Sequence, residues 1–503
     1  MAGRLEFDVR FRAGARKARE RDPEAPFRIV ICGDFSGRAA RGVVEAGDSL
    51  AMRPFSPPID VDNFDRAMRR LGARLPIFVS EQSTTTAELA IESLDDFHPD
   101  KLCSRIASLQ LLCELRRRLI DPRTAPDAIR ALTRDGTRAG NPEPSPAPSA
   151  PTEDDASMLT RLLGSPARSA PAVAPLSSPV AGVDEILRRA VAGHVSPAPD
   201  PRQENFVASV DQALGASVRR LLHDPSFQQL EAGWRSLHWL VTNLGADEEL
   251  QIVVLDVSKQ ELAEDLLKAN SLDESATSRR LTDAPPWSLL VGDYSFGPEE
   301  EDVTLLAALA ALGKAAGAPF MGAANADLVG CRVPRDCSSV SSWTSVDAPR
   351  TTLFRTLRRS GSASFAGLTW PRWLSRSPYG AKRDPVESFA FEELDGSPVH
   401  SSLLWGNGAF LAAAFMASAA RDDDEGVDLE GSFEVGDLPL YVYDEDGESK
   451  MQPCAECWLT DEAIQATLER GIMPIWSLRG RNTVRLVRLQ SIADPPSRLA
   501  GSH

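Results

Sequence analysis

Apolar positions along this chain follow two periods, and the period in force changes from segment to segment. Near the start, Leu5, Phe7, Val9 and Phe11 alternate with Glu6, Asp8 and Arg10, a period of two that predicts a strand over residues 4–12. That strand has one apolar face and precedes any core, so it needs a sheet to join, in this chain or another. Phe27 to Cys32 is a continuous apolar run stopped by Gly33-Asp34, the pattern of a strand buried on both faces of an α/β sheet. Asp62 to Leu71 reads as a short amphipathic helix with Phe64, Ala67, Met68 and Leu71 on one side. Leu75–Val79 and Ala87–Ile91 read as strands, and Pro99–Ile120 as one long helix through Leu102, Ile106, Leu109 and Leu115. Arg116, Arg117 and Arg118 then form a basic turn that suits a solvated helix C-terminus.

Between about Asp135 and Asp200 the periodicity stops. Runs rich in Pro, Ala and Ser, such as EPSPAPSAP from Glu143, have almost no aromatics, and this composition predicts a disordered linker. Two apolar islands interrupt it. One, Ala156 to Leu163, carries Met158, Leu159, Leu162 and Leu163; the other, Val183 to Val191, carries Ile186 and Leu187. Each is too short to be a stable helix alone, and reads either as a docking segment or as incidental helicity.

Helical spacing resumes at Asn205–His223 and, after the Asp224-Pro225 break, at Phe227, Leu230, Trp234, Leu237 and Val241. Alternation of strand and helix follows: Leu250–Val257, Glu261–Ala269, Trp287–Gly297, Val303–Ala316, Pro319–Asn325. This order predicts a parallel or mixed sheet with crossover helices. Further strands are expected at Leu438–Tyr443, Met473–Leu478 and Val484–Leu489, with a helix at Asp461–Arg470 among them. A strand ending in GDFSG at Gly33 is echoed by one ending in GDYSFG at Gly292.

Composition narrows the class. With 503 residues, two or three domains are expected, and 42% hydrophobic with 25% charged residues is ordinary for a globular protein. A net charge of −17 disfavours nucleic acid and anionic membrane surfaces as partners. No run reaches the ~18 apolar residues of a membrane span, and the N-terminus lacks the apolar stretch of a signal peptide. Seven scattered cysteines fit a reducing cytoplasm better than a disulfide framework.

Candidate chemistry is sparse. Phosphate-loop, H-E-x-x-H and G-x-S-x-G patterns are absent from the sequence. His98, His194, His223, His238, His400 and His503 do not fall at ligand spacing. Cys454 and Cys457 form a C-x-x-C with no second pair at zinc-site spacing, and Asp422 to Glu425 reads as a solvated acidic loop. In LTWPRWLSRSPYG, Trp370, Arg372, Trp373, Arg376 and Tyr379 interleave. In an acidic chain this favours packing, with Arg372 or Arg376 paired to a buried carboxylate, over base stacking.

Several motifs taken in order carry a resemblance. PFRIVICGDFSGR with Gly33, Asp34 and Phe35, then RPFSPPIDVDNFDRAMRRL and LAIESLDDFHPDKL, make residues 4–134 resemble the small sheath subunit (TssB/VipA type) of the bacterial type VI secretion system. HDPSFQQLEAGWRSLHWLV with Trp234 and Arg235, VLDVSKQELAEDL, GDYSFGPEEEDVTLLAALA, TWPRWLSRSPYG with Pro371, Arg372 and Tyr379, LLWGNGAF with Trp405, Gly406 and Asn407, and PCAECWLTD make residues 183–495 resemble the large subunit (TssC/VipB type). The sequence departs from the large-subunit pattern at Leu429 to Phe433, after Ala269, and in TVRLVRLQS.

The resemblance implies an α/β protein of two sheath-type domains with mixed sheets, long helices and a terminal interlocking strand region. Residues 1–134 would be small-subunit-like, 135–204 a linker with short amphipathic helices, and 205–503 large-subunit-like. It implies a structural protomer, not an enzyme, that binds no cofactor or metal, works in the cytoplasm and polymerises helically with itself by strand exchange around an inner tube. Leu5, Phe7, Val9 and Phe11 would supply one exchanged strand, and Ile475, Val484 and Leu486 two others. An Hcp-type inner-tube protein, baseplate proteins and a ClpV-type disassembly ATPase would be partners; the ATPase would grip Met158, Leu159, Leu162 and Leu163 or Ile186 and Leu187. Two alternatives stand beside it: a sheath-derived adaptor that does not polymerise, and an α/β enzyme using the strand ends at Gly33 and Gly292.

Overall fold

The computed structural model describes residues 25–78, 86–138, 202–331, 337, 339–345, 348–394, 399–421 and 433–500. Leu5, Phe7, Val9, Phe11, Met158, Leu159, Leu162, Leu163, Ile186, Leu187 and the acidic run at Asp422 lie outside the described residues, as does most of the expected linker. Two compact units divide the chain. One takes residues up to 111 and from 213 onward, the other residues 112–212.

The larger unit is built on one mixed sheet whose strands come from both halves of the sequence. Its members are β1 (Phe27–Gly33), β4 (Leu250–Asp256), β5 (Leu289–Phe296), β6 (Phe320–Ala324), β7 (Ala366–Trp370), β10 (Phe433–Val435), β13 (Met473–Ser477) and β14 (Val484–Leu486). Their spatial order is β10-β14-β13-β7-β6-β5-β1-β4. Pairing is parallel from β4 through β13, and antiparallel at β13/β14 and β14/β10. Three two-stranded antiparallel sheets are separate from it: β2 (Ala73–Phe78) with β3 (Thr86–Ile91), β8 (Trp373–Leu374) with β9 (Trp405–Gly406), and β11 (Tyr441–Glu445) with β12 (Glu448–Gln452).

The α/β class and mixed sheet expected from the apolar runs are therefore present. The run FRIVIC is apolar apart from Arg28, which is only partly buried at the strand's start, because β1 is covered on both faces. Val30 and Cys32 pack with Val253, Leu255 and Leu290 in the cluster that contains helix Glu300–Ala316. Alternate residues Ile29 and Ile31 are also fully buried, on the side where helices Pro225–Leu244 and Ala409–Arg421 lie together. The outer edge of β4 is covered too: the amides of Ser56 and Ile59 donate to the carbonyls of Val254 and Ile252, each at 2.8 Å.

Two expected elements differ. The long helix over 99–120 is two helices, Pro99–Arg105 and Ala107–Ile120. Ile106 between them is extended at φ −94°, ψ 116° and buries its side chain; the helical spacing of its apolar neighbours hid that break. The strand expected at Leu438–Tyr443 begins at Tyr441, after Pro439, which has no amide to donate to a ladder.

The smaller unit is helical, made from the end of Ala107–Ile120, from Ala125–Arg138 and from the start of Gln203–Leu222. Arg116 pairs with Asp211, and the Gln203 amide donates to the Leu119 carbonyl at 2.7 Å. Among the described residues no helix is long and apolar enough to cross a membrane.

Candidate functional site at the seam between the two halves

The motifs that stand out in the sequence converge where β1 enters the sheet. β1 lies between β4 and β5, with Phe27 to Gly33 in register with Leu250 to Asp256, and Cys32 beside Gly292. The two glycine-aspartate strand ends, GDFSG and GDYSFG, are therefore neighbours at one rim of the sheet. Asp34 turns the chain after β1 by accepting from the amides of Arg38 and Ala39 at 2.9 and 2.8 Å.

Helix Pro225–Leu244 docks on this turn. Its start is set by Asp224, whose carboxylate accepts from the amides of Ser226 and Phe227, and by Pro225 at the first helical position. The Trp234 indole donates to the Phe35 carbonyl at 2.9 Å, and its ring meets Phe35 and Phe64 edge-on at 5.1 and 5.7 Å between centroids. Phe35 and Phe64 belong to the first half and Trp234 to the second. Close approach explains the glycine in AGWRS: a Cβ on Gly233 would fall 2.8 Å from an Asp293 carboxylate oxygen.

Beside this aromatic contact runs a buried ionic network. Arg38 pairs with Asp256 and, through Nε and Nη2, with both Glu261 oxygens at 3.1 Å. Arg53 reaches Glu261 at 3.0 Å and also pairs with Glu45. Glu261 is held by a capping box with Ser258 at the start of helix Lys259–Lys268. Burial pushes the Glu261 carboxyl up, but bonds from Arg38 and Arg53 and from the amides of Ser258 and Glu45 outweigh it and bring it to about 2. Two arginines from the first half thus meet two carboxylates from the second.

A second network fixes the TWPRWLSRSPYG loop. Arg376 donates to Glu231 and Glu393, each at 2.7 Å, and all three are buried. Arg235 bonds Glu231 at 2.8 Å and the Tyr379 hydroxyl at 3.0 Å. Burial raises the Glu393 carboxyl, yet Arg376, His223 and the Tyr379 amide lower it to about 2. Arg372, after the cis Trp370-Pro371 bond, grips Glu456 at 2.6 and 3.1 Å, with His400 on the same carboxylate at 2.6 Å. The expected pairing of this loop's arginines with buried carboxylates is what the structure shows.

LLWGNGAF closes the seam from the other side. Asn407 donates to the Gly292 and Tyr294 carbonyls at 3.3 and 3.2 Å, and its own carbonyl accepts from the Trp373 indole. Trp405 stacks on His400, and a Cβ on Gly406 would fall 2.3 Å from the Ser375 hydroxyl. Burial lifts the Asp293 carboxyl to about 6, against a bond from Asn407.

Gly33, Asp34, Phe35, Trp234, Arg235, Pro371, Arg372, Tyr379, Trp405, Gly406 and Asn407 thus belong to one connected set of contacts. Ile475, Val484 and Leu486 lie elsewhere, buried in β13 and β14, each of which has a hydrogen-bonded neighbour on both sides. Cys454 and Cys457 are free and buried; burial raises the Cys454 thiol to about 11. Their loop serves Glu456, whose amide donates to the Arg372 carbonyl at 2.8 Å. Among the described residues no group of ligating side chains could hold a metal ion. The quoted motifs include Arg38, Arg53, Asp256, Glu231 and Asp293, but single out neither these nor Glu393 as site residues. Among the carboxylates of these networks only Glu261 carried a local signal, the S-x-x-E box.

Comparison with known proteins follows the same division. The family model "VipB: EvpB/VC_A0108, tail sheath N-terminal domain" matches residues 204–493, more than half of the chain, and "Type VI secretion system, VipA, VC_A0107 or Hcp2" matches residues 7–135. The type VI secretion system sheath protein TssC1 of Pseudomonas aeruginosa is 34% identical over 308 residues, 58% of this chain and 61% of that protein. TssB1 of the same organism, also a sheath protein, is 30% identical over 119 residues, 23% of this chain and 63% of that protein. The chain thus spans about three fifths of each relative's length. Seam, motifs and matches agree: this chain belongs to the type VI secretion sheath family, with a small-subunit-type half and a large-subunit-type half fused in one polypeptide.

Proposed function

We propose that the chain is a structural protomer of a type VI secretion contractile sheath, polymerising with itself around an inner tube and contracting to drive effector delivery. The observation that carries this reading is β1: a strand of the small-subunit half lies between two strands of the large-subunit half, so one chain supplies both parts of a sheath building block. In this reading residues 1–134 and 205–503 are the two subunit-like parts and 135–204 the tether. Leu5, Phe7, Val9 and Phe11 form the strand lent to a neighbour, because a period-two segment ahead of the core has an apolar face to cover. Head-to-tail lending that does not close a ring gives a helical polymer. The protein works in the cytoplasm, without enzymatic activity or cofactor. Its partners are an Hcp-type inner tube, the baseplate, and a ClpV-type ATPase that grips Met158, Leu159, Leu162 and Leu163 or Ile186 and Leu187.

One observation favours the adaptor reading. Ile475, Val484 and Leu486 sit in strands bonded on both sides, so these positions offer no unpaired backbone in this conformation. Electron microscopy separates the two. The purified chain, alone or with the inner-tube protein, is expected to form tubules, and removal of Met1–Arg12 to abolish them while leaving a folded protein. Monomers that decorate only tube ends would establish the adaptor.

A further inference from the structure

The strands expected to exchange between copies, β13 and β14, are bonded on both sides, so a lent strand needs another edge. The main sheet leaves β10 at one end, only three residues long. The hairpin of β11 and β12 offers a longer one of five residues. Its two-residue turn, Asp446-Gly447, has both φ angles positive, at 55° and 80°. In such a turn Glu445 and Glu448 are the first pair to exchange both ladder bonds. Bonded and non-bonded pairs then alternate, and the amides and carbonyls of Val442 and Asp444 point away from β12. Among the described residues neither has a backbone partner on that side.

A cleft of about 580 Å³ borders this edge. Its lining takes the successive residues Val442, Tyr443 and Asp444, which lie on alternate faces of β11, so the strand's edge and not one face walls it. Tyr379, Lys382 and Arg383 stand on the opposite wall. That wall is fixed: buried Glu393 accepts from the Tyr379 amide at 2.8 Å, and Glu392 from the Ala381 amide at 3.0 Å. Lys382 and Arg383 are exposed and, among the described residues, pair with no carboxylate. Val442 is left 42% exposed, an apolar side chain without cover. An unpaired edge with a side-chain cleft beside it is the arrangement that takes up an extended peptide. We propose that this edge receives residues 4–12 of a second copy as an added strand; the assignment rests on the reading of the chain as a strand-lending protomer. LEFDVRF alternates apolar and charged positions as an added strand requires. Its acids Glu6 and Asp8 match Lys382 and Arg383 across the cleft, and Arg10 and Arg12 match Asp444 and Glu392.

Photo-crosslinking of the intact chain tests this, with p-benzoylphenylalanine in place of Phe7 and isotope-labelled copies mixed with unlabelled ones. Crosslinks between labelled and unlabelled copies, mapped by mass spectrometry to Lys382 and Arg383 or to Val442–Ser449, are the expected result. Their yield is expected to fall at least tenfold in Val442→Pro. Proline there removes one outward amide and no bond to β12, so the circular dichroism spectrum stays unchanged. Should Val442→Pro fail to fold, Asp444→Pro carries the same comparison. Crosslinks confined to one copy, crosslinks elsewhere, none at all, or an undiminished yield in the folded variant overturn the site. Micrographs of the same sample separate this from polymerisation: tubules with crosslinks elsewhere overturn the acceptor edge alone, and crosslinks at the cleft without tubules overturn polymerisation alone.

Discussion

The two ends of the main sheet are built differently. At the β4 end, β1 pairs with strands from the far half of the sequence: Arg28 bonds Gln251, 223 residues away, and Ser288, 260 away. All ladders there are parallel, and the rim carries the buried Arg38–Asp256–Glu261–Arg53 network. At the β10 end, β13 and β14 are successive antiparallel strands, and the cross-strand Arg485–Glu434 pair is solvent-exposed. One end is local closure by a chain turning back on itself. The other is a joint between two halves, and there the buried charge and the tryptophan are concentrated.

Substitutions at the joint are therefore expected to cost far more than those at the β10 end. Trp234→Ala removes a fully buried ring and its bond to Phe35, and is expected to cost about 3–5 kcal/mol; urea unfolding measures it, and a loss under 1 kcal/mol would show that the joint is not held there. Arg38→Met takes from the buried Asp256 its cation and from Glu261 one of its two arginines, and should cost ~3–5 kcal/mol, whereas Glu434→Ala, breaking the exposed pair, should stay within ~1 kcal/mol. Similar losses from both would erase the contrast.

Acid should loosen the joint. Glu261, like Glu393 and Glu456, titrates at about 2 in the fold, below the ordinary value of about 4.3. A depressed carboxyl contributes stability that is complete above its ordinary value and is lost as pH falls towards 2. Asp293, raised to about 6, has the opposite sign, favouring the fold at low pH and opposing it above 6. Asp293→Asn is therefore expected to melt higher than the parent above pH 6, with the difference vanishing below about pH 4 in calorimetry across that range. The smallest effect expected is none. A protease cut near Pro148 should leave the elution volume on gel filtration unchanged, because backbone ladders on both sides of β1 hold the halves together. Separate peaks would mean that only the tether does.

Most strands and helices of the larger unit could be read from apolar runs and caps, since a strand covered on both faces is apolar over most of its length. The neighbours of each strand could not. Nothing local in FRIVIC says that Leu250–Asp256 and Leu289–Phe296 will flank it, because parallel pairing over such separations leaves no turn signature. Ala366–Trp370 escaped notice for a related reason: its run is short and merges into the TWPRW motif. The arginine pairing in that motif was readable from composition, because cations among tryptophans in an acidic protein need carboxylates. Arg38 was not, being one arginine among many until the fold set it against Glu261.

The placement of β1 also has a consequence for biosynthesis. This strand leaves the ribosome 223 residues before its first ladder partner and 260 before its second-side contact. Throughout that interval a hexapeptide apolar at every position but Arg28 has no permanent cover, and non-local pairing of this kind closes slowly and invites aggregation. A nascent chain of this architecture therefore depends on a holding chaperone, or on provisional shelter from its own early helices, until the far half emerges.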